Sequence, residues 1–197
     1  MPNSATFYLT GNEAADSLLA TDPNAVLLGM VLDQQVTMEK AFSGPAVIAE
    51  RMGGVLDVGA IAAADPDEFA ALCSKPPAVH RFPGSMAARV QGVCRELVEK
   101  WDGQATNLYA SAATGAELKK RIAGLPGFGD QKARIFVALL GKRFGVTPPG
   151  WEEAAGAYGI GGSHVSVADV VDADSLQLVR AAKKAAKAAA KGSASQE

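Results

Sequence analysis

The sequence predicts an all-α fold, and three observations carry that expectation. Apolar residues recur at helical spacing through most of the chain, and no segment shows the alternation of a half-buried strand. Aromatics make up only 6% of the residues while alanine and glycine are abundant, which suits close-packed helices better than an aromatic-rich sheet. Helix starts are also repeatedly marked by capping residues followed by proline or by a glutamate three positions on.

Asp22-Pro23 reads as an N-cap with proline at the first helical position. The helix it opens is expected to run through Val26, Leu27, Met30, Val31 and Leu32 towards Ala41. It is apolar nearly all round, so it should be the central buried helix. Asp65-Pro66-Asp67-Glu68 repeats the cap. A helix from Ser85 carries Val90, Val93, Cys94, Leu97 and Trp101. Thr114-Gly115-Ala116-Glu117 is a further capping box, and its short helix stacks Leu118 on Ile122. After a glycine turn, a longer helix carries Ala133, Phe136 and Leu140, with Gly141 and Gly145 at its fraying end. Thr147-Pro148-Pro149-Gly150 breaks the helix. Trp151 to Tyr158 forms one more short helix, and Gly159 to Ser163 is loop. An alanine- and lysine-rich helix from about Ser175 to Lys191 is expected to be solvated, with a disordered tail from Gly192.

A chain of 197 residues suits one domain or two small lobes sharing a core. The expected division is a helical domain over 1–166 and a basic helix with its tail over 167–197. Net charge is −2, so any nucleic-acid surface has to be a local patch. Cys73 and Cys94 are the only cysteines, which excludes a four-thiolate zinc or iron–sulfur site and suggests two buried reduced thiols. The longest apolar run, Ala25 to Leu32, is far shorter than the ~20 residues of a membrane span. No leader pattern opens the sequence. A cytoplasmic protein without membrane contact is expected.

Leu125-Pro126-Gly127-Phe128-Gly129-Asp130-Gln131-Lys132-Ala133 is the most informative stretch. Its Gly-x-Gly turn opens a helix and presents unpaired N–H groups at that helix's positive end, a geometry suited to phosphate. Residues 115–145 thus read as helix, glycine hairpin, helix, and resemble a helix-hairpin-helix DNA-binding element. Gly127, Phe128, Gly129, Gln131 and Lys132 become candidate DNA contacts, with Arg134 and Lys119 or Lys120 near enough to add charge. The alternative is an ordinary tight turn between packed helices.

Leu28 to Ala41, which contains Asp33-Gln34-Gln35, is similar to a signature helix of the HhH-GPD superfamily, the endonuclease III-like DNA glycosylases. Arg81 to Gly103 resembles the family's next long helix. The similarity covers most of residues 25–146. It implies two helical lobes around a DNA-binding cleft, double-stranded DNA as partner, a monomer, and cleavage of the bond between a flipped base and its sugar. Gln35 matches the side chain that fills the gap left by the base, and Gln34 is its neighbour. The alternative is a polar pair at a helix end. No cofactor is expected, although a monovalent cation at the hairpin is compatible with the resemblance.

The sequence departs from the family at its catalytic carboxylate. The family places an aspartate just beyond the helix after the hairpin, which here falls near Pro149. No aspartate occurs between Asp130 and Asp169, so Glu152 and Glu153 are the candidates for stabilising charge on the sugar. The alternative is a pair of exposed first-turn glutamates. Family members that also cut the backbone use a lysine where this chain has Gln131, so strong lyase activity is not expected. His80 and His164 are isolated, with no metal spacing. The expected function is a monofunctional DNA N-glycosylase in base excision repair. The alternatives are a non-catalytic DNA-binding protein on the same scaffold and a helical protein-interaction module.

Overall fold

A computed structural model describes residues 7–193, with side chains through Ala189. Those residues form eleven α-helices and two short 3-10 turns, with no strand among them. The order is α1 (Glu13–Thr21), α2 (Pro23–Leu32), α3 (Met38–Arg51), α4 (Val58–Ala63), α5 (Pro66–Ser74), α6 (Pro83–Trp101), α7 (Ala105–Ala110), α8 (Gly115–Ala123), α9 (Asp130–Phe144), α10 (Trp151–Ala155) and α11 (Ala173–Ser193). The 3-10 turns, Gly156–Gly159 and Val167–Asp169, lie between α10 and α11.

α2 is the buried axis of the first lobe. The Asp22 side chain accepts the Asn24 N–H at 2.8 Å, and every residue from Asn24 to Leu32 is buried. α3 and α6 both pack against α2, α4 and α5 pack against α6, and α5 also meets α3, where Arg51 donates to the Leu72 carbonyl at 2.8 Å. In the second lobe α8 and α10 pack against α9. One contiguous apolar core, which includes Leu28, Phe42, Leu97, Phe136 and Leu139, joins the two. Cys73 and Cys94 are buried free thiols, and burial pushes them up to about 11 and about 12. No described helix is long and apolar enough to cross a membrane.

Four local expectations are corrected. The helix from Asp22 does not run to Ala41. It stops at Leu32, Gln35 takes a left-handed φ of 53°, and α3 restarts with the Thr37 hydroxyl accepting the Lys40 N–H. The reason is tertiary: the Gln34 carbonyl, free of any helix, accepts from His80 Nε2 at 2.8 Å. Gly141 does not mark a frayed end either, since it lies inside α9, where a side chain would collide with the Trp151 ring. α9 ends at Gly145, with φ 67°. The long sixth helix starts at Pro83 rather than Ser85. Finally, α11 is not simply solvated. Leu176 and Val179 are buried in the common core, and Arg180 Nε donates to Glu39 of α3 at 2.5 Å. Gly192 and Ser193, expected in the tail, belong to α11, and residues 194–197 lie outside the described residues.

Candidate nucleic-acid interface

The hairpin is built by the glycines in two different ways. Gly127 has φ 82°, a left-handed conformation that a side chain strains. It allows the Phe128 N–H to turn back onto the Leu125 carbonyl at 3.0 Å. Gly129 is extended at φ −120° and has open space where a side chain would stand, so the fold itself does not require glycine there. Gly129 caps α9 without any side-chain acceptor. Among the described residues, the N–H groups of Gly127, Gly129 and Asp130 meet no acceptor. These are the orphan donors at the positive end of a fifteen-residue helix.

The charges around the hairpin are disposed differently from the simplest reading. Asp130, the first residue of α9, accepts from Lys119 at 2.9 Å and from Arg134 at 2.6 Å. Lys119 and then Arg134 hold its carboxyl below the usual carboxylate range. Lys132 points across to the other lobe, where its Nζ lies 3.1 Å from the Val31 carbonyl near the end of α2 and 5.6 Å from the Phe128 ring centre. Burial lowers its ammonium to about 8, with Asp33 opposing that shift and Arg89 adding to it. Gln131, at the position where lyase-active relatives carry lysine, donates to the Tyr158 hydroxyl at 2.9 Å.

The two glutamines have separate positions. Gln34 is held on both sides, by His80 on its carbonyl and by Arg89, which donates to its Oε1. Gln35 is exposed and carries the left-handed turn. Arg89 was not singled out by sequence reasoning, yet it connects the two motifs. A side chain on Gly127 would come within 3.2 Å of Arg89 Cδ, and the same arginine's guanidinium reaches Gln34. Hairpin and glutamine turn, about ninety residues apart in sequence, thus meet on one exposed arginine. One arginine on the exposed face of a long helix gives no sequence signal of that role.

Glu152 and Glu153 occupy the exposed first turn of α10. They border different cavities, Glu152 with Lys142 and Ser163, Glu153 with Thr114 and Lys119. Neither cavity includes Gln35 or Lys132. Asp169, the next aspartate along the chain, is fully engaged. It pairs with Lys142 at 2.6 Å and also accepts from Ser163 and from the N–H groups of Val165 and Ser166. A carboxylate bound that completely is structural.

The arrangement therefore offers an anion cradle, a bridging arginine and a projecting amide at the seam of two helical lobes. Comparison with known proteins agrees with it. The family profile described as HhH-GPD superfamily base excision DNA repair protein matches residues 28–194, from α2 through α11. No curated protein and no solved structure matches the chain. The profile spans well over half of the sequence, and the chain belongs to the HhH-GPD superfamily of base excision DNA repair proteins.

Proposed function

We propose that the protein is a monofunctional DNA N-glycosylase that flips one damaged or mispaired base out of duplex DNA and hydrolyses its bond to the sugar. The observation that carries this reading is the meeting of the hairpin and the glutamine turn on Arg89. Gly127, Gly129 and Asp130 hold one phosphate through backbone N–H groups that meet no acceptor in the fold, Phe128 stands between them, and Arg89 extends that grip towards the turn. Gln35 enters the stack in place of the extruded base, since it is exposed and free of the bonds that fix Gln34. Extrusion costs a few kcal/mol, least for a mismatched or damaged base. Glu152 and Glu153, the carboxylates expected beyond the hairpin helix, border cavities that include neither Gln35 nor Lys132, and this reading gives them no step. No cofactor takes part. A monovalent cation at the hairpin has support in the Leu125 carbonyl, which keeps one lone pair beyond its turn hydrogen bond.

The assignment as monofunctional rests on Gln131, whose amide has no nucleophilic amine, and on Lys132, whose amine is directed at Val31. The test is base release from a panel of duplexes, each with a single deaminated, alkylated, oxidised or mispaired base. The expected product is an intact strand with an abasic site, cut only after alkali. Strand cutting without alkali, trapped by borohydride as a protein–DNA adduct, would overturn the monofunctional assignment. A second reading, a DNA-binding protein without catalysis, is favoured by the separation of Glu152 and Glu153 from Gln35. It predicts binding across the panel with no base released.

A further inference from the structure

The carboxylate nearest the glutamine turn is one that sequence reasoning passed over. Asp33 directly precedes Gln34 and forms the C-cap of α2, with its backbone N–H on the Gly29 carbonyl at 3.0 Å. Its side chain is only 14% exposed. Among the described residues that carboxylate accepts no hydrogen bond, and its ion partner is Lys183 of α11 at 3.8 Å. Lys132, on the first turn of α9, feels its charge from the opposite lobe.

This is a costly place for an anion. The C-terminus of a helix carries partial negative charge, so a carboxylate there is repelled rather than stabilised. Burial without hydrogen bonds adds a desolvation cost. Glu39 is occupied by Arg180, Asp130 by Lys119 and Arg134, and Asp169 by Lys142 and its loop. Asp33 alone combines partial burial, free acceptor capacity and a position two residues from the projecting Gln35. The cap of α2 is made by the Asp33 backbone N–H, so the helix end does not need the carboxylate, whose one structural partner is Lys183 at 3.8 Å.

We propose that Asp33 is the catalytic carboxylate of the cleft. The inference rests on the glycosylase reading and reassigns its acid from the helix after the hairpin to the end of α2. The bond from C1′ to the base nitrogen breaks, and its electron pair leaves with the base, which takes a proton from solvent water. The Asp33 carboxylate faces the positive charge that develops at C1′. It then accepts a proton from the water whose oxygen bonds to C1′.

The test uses the full chain and compares Asp33→Asn with Glu152→Gln and Glu153→Gln. Single-turnover base release is measured on whichever panel duplex the unaltered protein processes. Binding is read separately on a duplex with a tetrahydrofuran abasic analogue. Asp33→Asn is expected to slow base release by at least about 100-fold, with analogue affinity within about threefold and the melting temperature not lowered, while both glutamate variants stay near the unaltered rate. Added formate is expected to restore part of the activity of Asp33→Ala, which a purely structural charge would not show. Base release by Asp33→Asn within about threefold of the unaltered protein would overturn the assignment. If the asparagine variant loses its cooperative melt, Asp33→Ser carries the same comparison. An unaltered protein that binds the analogue and releases no base from any duplex would instead overturn the glycosylase reading, and this inference with it.

Discussion

Gln35 stands in a left-handed conformation, φ 53°, that β-carbon sterics make unfavourable by about 1–2 kcal/mol. Nothing else in the turn requires a side chain there, for Gln35 is exposed and the neighbouring bonds fall on Gln34. A glutamine in a glycine's conformation is therefore retained against local stability, as functional positions are. Gln35→Gly is expected to raise stability by about 1 kcal/mol, a melting-temperature rise of roughly 2–4 °C for a chain of this size. The same variant is expected to lower single-turnover base release at least tenfold. Gln35→Ala keeps the strain and loses the side chain, so it should show the kinetic loss without the thermal gain. A Gln35→Gly protein that melts higher and still releases base at the normal rate would remove the gap-filling role. The sequence pointed to the Gln-Gln pair but could not rank its members. That ranking comes from His80 and Arg89, which approach from 46 and 55 residues away.

At the scale of elements, the capped helices were the legible part. Asp22, Asp65 and Thr114 each accept an N–H two or three residues on, a local interaction that local sequence can announce. The break between α2 and α3 was not legible, because Asp33-Gln34-Gln35-Val36 holds neither proline nor glycine and the turn is stabilised by His80, just before α6, and by Arg89 of α6. The candidate site was legible to the same extent: Gly127 and Gly129 announce a turn, whereas Arg89 and Asp33 acquire meaning only once α6 and α2 are placed. The two glycines should then separate fold from contact. Gly127→Ala puts a side chain at φ 82° and against Arg89, so it is expected to destabilise by about 1 kcal/mol or more as well as weaken DNA binding. Gly129→Ala meets open space at an ordinary φ. Its stability loss should stay within about 1 kcal/mol, the range of an N-cap exchange. If a phosphate lies against that backbone, DNA affinity should nonetheless fall about tenfold. Unchanged affinity in Gly129→Ala, measured by titration at fixed salt, would mean that the backbone there meets no DNA.

For the whole molecule, the question is what holds the lobes against each other around a cleft that must admit DNA. Part of the answer is apolar core and part is a cation in an awkward place. Lys132 leaves α9, crosses the seam and covers the Val31 carbonyl at the negative end of α2. Burial is the largest cause of its fall from 10.5 to about 8. The sign of the consequence follows from proton counting. Below pH 8 the lysine is protonated in both folded and unfolded chains and contributes no pH dependence. Between about pH 8 and 10.5 the unfolded chain binds more protons than the folded one, so stability attributable to this group rises with pH. Cys73 and Cys94 act oppositely, because their folded values lie above the ordinary thiol value and stability is lost as pH climbs past it. The raw profile therefore mixes signs, and the informative quantity is a difference. Lys132→Met retains the aliphatic stem and removes the titration. Urea unfolding of both proteins at pH 7.5, 9 and 10.5 should show the unaltered chain gaining on Lys132→Met across that span. A flat difference would place the amine in water rather than in the seam. Saturating duplex DNA brings phosphates to the same opening, favours the ammonium and should reduce the gain, since the group would then be charged in the bound fold as it is in the unfolded chain.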